Sequence, residues 1–412
     1  MLEFYFENQI TMKRLRDGPA GRFIDGFSGC LKSTGYSWWT ARVFLRAADH
    51  IGRYAEAQGR DMCDIDWGTL TSFETHLPIC SCPGSSRCKT VDVVRGAKHF
   101  IEHLRENNIL KIPSVDDVKK IAAPVVLDFQ FWLRKHRGLS ESTVGHYSQA
   151  ASQFLTDHGE DPSRYDAKTL REFVLSRAEI QGKGATKTLI SGLRMFMRYM
   201  ASQGLCRPGL DQAIPAVACW RLTTIPRSLE SQDVKRILDA CDATSPMGRR
   251  DRAIILLLAR LGLRVGDVAG LRLDDIDWRD ASILVSGKSR RQARLPLSQE
   301  VGDAIVEYLK CRPGSDAREI FLRSVAPFRP FGSGGSASQV VTRAMRRAGV
   351  SASCYGAHAL RHTAACEMLR QGVSLYEIGA VLRHRSVAMT AHYAKVDMAL
   401  LKQVVQPWPE VH

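Results

Sequence analysis

The strongest constraint on the fold is a pattern that occurs twice. Gly35-Tyr-Ser-x-x-Thr40 matches Gly138-Leu-Ser-x-x-Thr143, and Ala47-Ala48 matches Ala150-Ala151 at the same offset. Asp66, Thr69, Leu70 and Phe73 then match Asp166, Thr169, Leu170 and Phe173, and Gly96 and Phe100 match Gly192 and Phe196. The offset shrinks slightly along the pair, which short loop differences supply. Each copy reads as three helical segments with apolar residues three and four apart; in the second, Val144, Tyr147, Ala151 and Phe154 share one face. A repeated unit of this kind commits the N-terminal half to small helical bundles.

The flanking segments divide the rest. Residues 1–34 show no clear periodicity and read as an N-terminal arm. The two bundles fall at 35–115 and 120–205, and the prolines Pro208, Pro215 and Pro226 mark 206–227 as an extended linker. Residues 228–400 read as a mixed α+β domain. Val234, Ile237, Leu238 and Cys241 mark an amphipathic helix, and Asp251 to Leu261 is apolar nearly all round, as in a helix buried in a large core. Ser282–Val285 and Arg294–Leu297 read as strands of a hairpin whose tip is the basic GKSRRQA. Gly332 to Ser336 reads as a flexible loop, and Ser374 with Glu377 as a capping box. Residues 401–412 form a tail. The fold class is therefore mainly α with a small β-hairpin.

A chain of 412 residues is long enough for two or three domains. Its net charge of +15 favours a polyanionic partner, of which nucleic acid is the commonest. Eleven scattered cysteines, an odd number, do not read as a disulfide framework and fit a reducing cytoplasm. The start, MLEFYFENQITMKRLRDG, lacks the apolar core of a signal peptide, and the most apolar run, Ala253–Ala259, is too short to span a bilayer, so no membrane partner is expected.

Several motifs fail on inspection. Gly287-Lys288-Ser289 resembles the end of a phosphate-binding loop, but Ser282 stands where glycine is needed and a strand follows. His358 and His362 sit four apart like a zincin pair, yet Ala359 replaces the required glutamate. His76, Cys80, Cys82 and Cys88 could form a zinc set. The C-x-C spacing is not the usual C-x-x-C knuckle, and Pro83-Gly84 makes a plain turn; the preferred reading is a loop of reduced thiols, with no metal and no cofactor.

What remains is a set of cations, imidazoles and one phenol. Arg264 lies in LGLRVGDVAGL, Lys288 at the hairpin tip, His358 and Arg361 in HALRHT, His384 in LRHRS and Tyr393 in HYAKV. Arg264 to Lys288 is 24 residues, Arg361 to His384 is 23 and His384 to Tyr393 is 9. In order, context and spacing these motifs resemble the tyrosine recombinase (phage integrase) family, over residues 125–400. The first bundle and the arm lie outside the usual pattern.

The resemblance implies a core-binding, SAM-like bundle at 120–205 and a catalytic integrase domain at 228–400, which close on duplex DNA as a clamp. It implies cleavage and rejoining through a 3′-phosphotyrosyl intermediate, without metal or ATP. Tyr393 would be the nucleophile, and Arg264 and Arg361 would grip the non-bridging phosphate oxygens. Lys288 would protonate the 5′-oxygen, His358 would accept the phenol proton, and His384 would hydrogen-bond the phosphate. Asp267 would brace an arginine from behind. Arg290, Arg291 and Arg294, with Arg343, Arg346 and Arg347, are candidate DNA contacts. The implied assembly is a homodimer on each site and a tetramer in synapsis, with other recombinase subunits as further partners. A recombinase-derived accessory protein without catalysis and a type IB topoisomerase-like relaxing enzyme are the alternatives.

Overall fold

The computed structural model describes residues 1–80, 82, 89–110, 123–218, 228–286, 292–351, 355–384 and 386–396. Lys288, Arg290, Arg291, Cys88, the C-terminal tail and the second half of the expected linker lie outside the described residues.

Helices dominate. In chain order they are α1 (Gln9–Asp17), α2 (Gly21–Ser33), α3 (Trp38–Ala57), α4 (Trp67–His76), α5 (Thr90–Glu106), α6 (Pro124–Arg137), α7 (Glu141–His158), α8 (Ala167–Ile180) and α9 (Lys183–Ser202). There follow α10 (Ser231–Asp239), α11 (Pro246–Arg260), α12 (Val265–Ala269), α13 (Gln299–Leu309), α14 (Gly334–Arg347), α15 (Ala357–Arg370), α16 (Leu375–Val381) and α17 (Val387–Thr390). Strands β1 (Ile276–Asp277), β2 (Ser282–Ser286) and β3 (Gln292–Pro296) form an antiparallel sheet in that order, with Ile283 opposite Leu295 and Val285 opposite Ala293. Among the described residues no helix is long and apolar enough to cross a membrane.

The chain divides into two compact units. One comprises Asn8–Ile24 with Val43–Arg221, the other Met1–Glu7, Asp25–Arg42 and Leu222–His412. Residues 1–34 are not the aperiodic arm read from the sequence. They build α1 and α2, and bury Leu2, Tyr5, Leu15, Ile24 and Phe27 almost completely. The first part of the expected linker also belongs to a core: Ile214 is buried, and its carbonyl accepts from Arg194 at 2.7 Å. Gly332–Ser336 is shorter as a loop than expected, because the Ser333 hydroxyl accepts from the Ser336 N–H and starts α14 within it.

The repeated sequence patterns produce repeated local structure. Ser37 and Thr40 hydroxyls meet at 2.9 Å, Ser140 and Thr143 hydroxyls at 3.0 Å. Asp66 caps α4 by accepting from the Thr69 N–H at 2.7 Å, and Asp166 caps α8 by accepting from the Thr169 N–H at 2.8 Å. The closest parallel is a helix crossing. A Cβ added to Gly96 would stand 2.9 Å from the Ala47 Cβ and from the Phe44 backbone. One added to Gly192 would stand 2.9 Å from the Ala150 Cβ and 3.0 Å from the Tyr147 backbone. In both copies α-carbon packing at glycine lets one helix lie directly on the other, and the matched residues Phe73, Phe100, Phe173 and Phe196 are all buried.

In the other unit α11 is the central element. Ser245 caps it by accepting from the Gly248 N–H at 3.0 Å, Pro246 occupies its first turn, and Ala253 to Leu258 are buried all round. Leu229, Ile237, Ile283, Ile305, Val341 and Leu360 close around it in one core. The core fixes where α11 ends and therefore where the following arginine emerges.

Gly96→Ala and Gly192→Ala should each destabilise the chain by about 1–3 kcal/mol through overpacking. Gly145→Ala, on α7 with open space around it, should be neutral or stabilise by a few tenths of a kcal/mol, on the order of helix propensity. Thermal melting of the three variants checks this; equal midpoints would mean the crossings are not tight.

Candidate active site

The site is assembled by turns that follow buried helices. After α11 the chain reverses at Gly262, whose φ of +59° is left-handed and whose missing Cβ leaves room for Leu382, 2.6 Å from where that carbon would be. Arg264 then stands at the N-cap of α12, where it is part-buried, and its Nη2 donates to the Arg383 carbonyl at 2.7 Å. Arg361 projects from α15 and is 7% exposed. Its Nη1 donates to the Gly262 carbonyl, and its Nη2 to the Leu382 carbonyl at 2.5 Å. The capping box of Ser374 and Glu377 starts α16, which delivers Leu382, Arg383 and His384. Tyr393 lies in the 3-10 turn Ala391–Val396 and packs with Ala365, Cys366, Ile378 and Leu382.

Arg264, Arg361, His384 and Tyr393 thus come together. The His384 and Tyr393 rings stack in parallel with centroids 6.3 Å apart. The Tyr393 hydroxyl hydrogen-bonds Nδ1 of His362 at 2.9 Å, and Nδ1 of His384 bonds the Thr390 hydroxyl at 2.8 Å. His358 is exposed, with its ring 6.3 Å from that of His362. In the free chain the phenol's partner is therefore His362 rather than His358.

Burial and crowded positive charge set the protonation states. Burial pushes the Tyr393 phenol up to about 12, with Cys366 adding to the rise and Arg361 opposing it. Burial, then Arg264, brings Arg361 down to about 10, so it remains a cation at neutral pH. Burial, then Arg361 and Arg264, lowers His384 to about 4. Burial, then His358, His392 and Arg361, lowers His362 to about 4. The resting site holds cations, neutral imidazoles and a protonated phenol. Buried and part-buried guanidiniums gathered beside neutral imidazoles make such a site suited to an oxyanion.

Three contacts were not read from the sequence. His362 is the hydrogen-bond partner of Tyr393, and Thr390 is that of His384. Arg383 is the third. It adopts a φ of +54° and pairs with Asp267, their side chains 10% and 5% exposed. Its Nε and Nη1 are buried without a hydrogen-bond partner among the described residues. The ion-pair partner of Asp267 is Arg383. Only the positive φ could have been guessed, from the short turn after α16; the pairing depends on the fold.

The basic residues expected at DNA are scattered. Arg294 is exposed on β3 and bonds Asp277 at 3.2 Å and Ser282 at 3.0 Å. Arg343 and Arg346 are exposed on α14. Arg347, also exposed, reaches the buried Asp251 at 3.6 Å, beside the Arg250–Asp251 pair at 2.6 Å.

The family model for the phage integrase family matches residues 227–399. A putative integrase/recombinase, y4rA, of Sinorhizobium fredii is 34% identical over 414 residues, covering 99% of each chain. The chain belongs to the phage integrase family. Two solved structures of tyrosine-recombinase fold are similar. One is the XerH site-specific recombinase bound to palindromic difH substrate, a post-cleavage complex, with TM-score 0.54 at 16% identity over 81% of this chain and 94% of that one. The other is a lambda integrase dimer bound to a COC′ core site, with TM-score 0.51 at 19% identity over 70% of this chain and 98% of that one. At that identity they speak for the fold, which is that of this integrase family. The mainly helical class with a small antiparallel sheet holds.

Two outcomes are expected of the site. The folded state resists protonating His384 and His362 until about 4, whereas the unfolded imidazoles titrate near 6.5. Stability should therefore fall as pH drops through that window, because the unfolded chain binds protons the folded chain refuses. His384→Gln should weaken this dependence by on the order of 1 kcal/mol between neutral and mildly acid buffer, read from unfolding midpoints. An unchanged slope would count against a buried neutral imidazole there. Separately, Arg383→Ala should destabilise by about 3 kcal/mol or more by leaving Asp267 a buried lone charge, and adding Asp267→Asn should recover part of the loss. If it recovers nothing, the pair is not coupled.

Proposed function

We propose that this integrase is a site-specific DNA recombinase that cleaves and rejoins duplex DNA through a phosphodiester link to Tyr393. The observation that carries the reading is the convergence of two guanidiniums, Arg264 and Arg361, with His384 and the buried Tyr393 in one positively charged site.

The chemistry follows from what these groups can do. A DNA phosphate entering the site places its oxygens against these cations. Arg264 and Arg361 exchange carbonyl partners for its non-bridging oxygens and stabilise the charge that builds at a pentavalent phosphorus. The Tyr393 oxygen attacks phosphorus, the bond to the 5′-oxygen breaks, and a 3′-phosphotyrosyl ester forms. The phenol proton passes to an imidazole. His362 already holds the hydroxyl and is neutral, and the arriving phosphate makes it more basic; the exposed His358 faces the DNA. Lys288 donates the proton that the leaving 5′-oxygen takes up. Attack by a 5′-hydroxyl of a second strand reverses these steps on a new partner. The ester conserves the bond energy, so rejoining needs no nucleotide.

The similar recombinases are described on their DNA sites, one of them as a dimer. We carry that arrangement over: two copies of this chain on each site, with four in synapsis. The copies of the helical repeat, 35–108 and 138–204, both contact DNA backbone, so the first lengthens the occupied site. A reducing cytoplasm suits the enzyme, whose eleven cysteines are scattered along the sequence.

A nicked duplex drawn from the DNA flanking the gene tests the reading. Wild-type protein should be trapped as a covalent adduct, Tyr393→Phe should form none, and Arg361→Ala should slow trapping by roughly 100- to 1,000-fold. Adduct formation by Tyr393→Phe would exclude the proposed nucleophile. Relaxation of supercoiled DNA without pairing of two sites would favour the topoisomerase-like alternative.

A further inference from the structure

Away from the catalytic site, α3 and α4 carry a cluster that the reaction does not use. His50 lies on α3 and is 8% exposed. His76 is the last residue of α4, and Leu77-Pro78-Ile79 turns the chain back so that Cys80 and Cys82 return towards α3. Nε2 of His50 lies 3.2 Å from Sγ of Cys80, and Nε2 of His76 lies 3.3 Å from Sγ of Cys82. The four donor atoms all lie within 4.8 Å of one another. Donors on one tetrahedral zinc, with Zn–S near 2.3 Å and Zn–N near 2.0–2.1 Å, stand roughly 3.3–3.8 Å apart. A contraction of about 1 Å in the widest separation would therefore bring the set onto a metal.

We propose that His50, His76, Cys80 and Cys82 bind a structural zinc ion. Two imidazoles and two thiolates form a complete tetrahedral set, which leaves no open position for water or substrate. Loading replaces two thiol protons with one divalent ion, so the bound site is neutral. The Cys82 N–H already donates to Sγ of Cys80 at 3.3 Å, the kind of amide contact that supports a ligating thiolate. Phe73 meets the His50 ring edge-on at 4.9 Å, and Tyr54 lies 4.8 Å from the His76 ring, so aromatic packing orients both imidazoles.

The comparison between the repeats supports a purpose-built site. Aligned on Ala47/Ala150, His50 corresponds to Gln153; aligned on Phe73/Phe173, His76 corresponds to Ser176. In the second copy α8 simply continues to Ile180, whereas α4 stops at His76. Only the first copy has the shortened helix, the turn and all four donors. The C-x-C spacing that looked unfavourable in sequence is workable because the other two ligands come from separate helices. His50 replaces Cys88 in the set read from the sequence, Cys88 lying outside the described residues. Zinc here would pin the end of α4 and the residues after it to α3.

The test uses the full chain, expressed without a histidine tag in zinc-supplemented medium and purified under reducing conditions. Elemental analysis should find about one zinc per chain. Cobalt substitution should give the intense visible bands of tetrahedral coordination and a thiolate charge-transfer band. Cys80→Ser with Cys82→Ser, and His50→Gln alone, should lower zinc below roughly a tenth of an equivalent, while Cys63→Ser, an exposed thiol of the same unit, should keep it. Folded wild-type protein without zinc, or zinc retained by the double variant, would overturn the proposal. The wild-type metal content and cobalt spectrum decide the matter even if a variant fails to fold.

Discussion

The active site depends on one buried guanidinium. Arg361 is taken out of water on α15, a placement that is costly unless its donors are satisfied. They are satisfied by backbone carbonyls of Gly262 and Leu382, from two segments far apart in sequence. The same bonds that solvate the cation therefore hold the α11–α12 turn and the end of α16 in register. Arg264 extends the lock by donating to the carbonyl of Arg383. Removing Arg361 would loosen three segments as well as delete a charge.

That arrangement explains the resting protonation states. Burial and repulsion by the arginines keep the imidazoles neutral, and burial keeps the phenol protonated against the opposing pull of Arg361. Tyr393 is 3% exposed and its hydroxyl is hydrogen-bonded to His362, so the phenol is sheltered as well as unionised. A bound phosphate changes the balance at every one of these groups at once. In the free chain the Tyr393 phenol is held protonated.

The sequence was legible where spacing carries information. Arg264, Arg361, His384 and Tyr393 were readable because several motifs in fixed order leave few alternatives. The central helix α11 and the hairpin strands followed from hydrophobic pattern, and the capping box at Ser374 from its two residues. Contacts made across the fold were not readable. Nothing local links Arg383 to Asp267 or Tyr393 to His362, because each pairing is created by how turns end buried helices. His50 was invisible for a related reason: one histidine on a helix far from the cysteines looks like an ordinary core residue. The first two helices were missed because Gly18, Gly21, Gly26 and Gly29 interrupt a pattern that Ile24, Phe27 and Leu31 nevertheless keep at helical spacing.

The paired crossings at Gly96 and Gly192 have a consequence for how the two copies can diverge. Each glycine faces an alanine and the backbone of an aromatic residue within contact distance. A larger side chain on either wall closes the gap, and trimming the facing alanine to glycine would still leave the backbone of the aromatic residue in the way. Sequence drift at these crossings is narrowly confined, so the duplicated halves are free to change at their surfaces and turns while sharing a constrained seam. The added ligands and shortened helix of the first copy sit where that freedom remains.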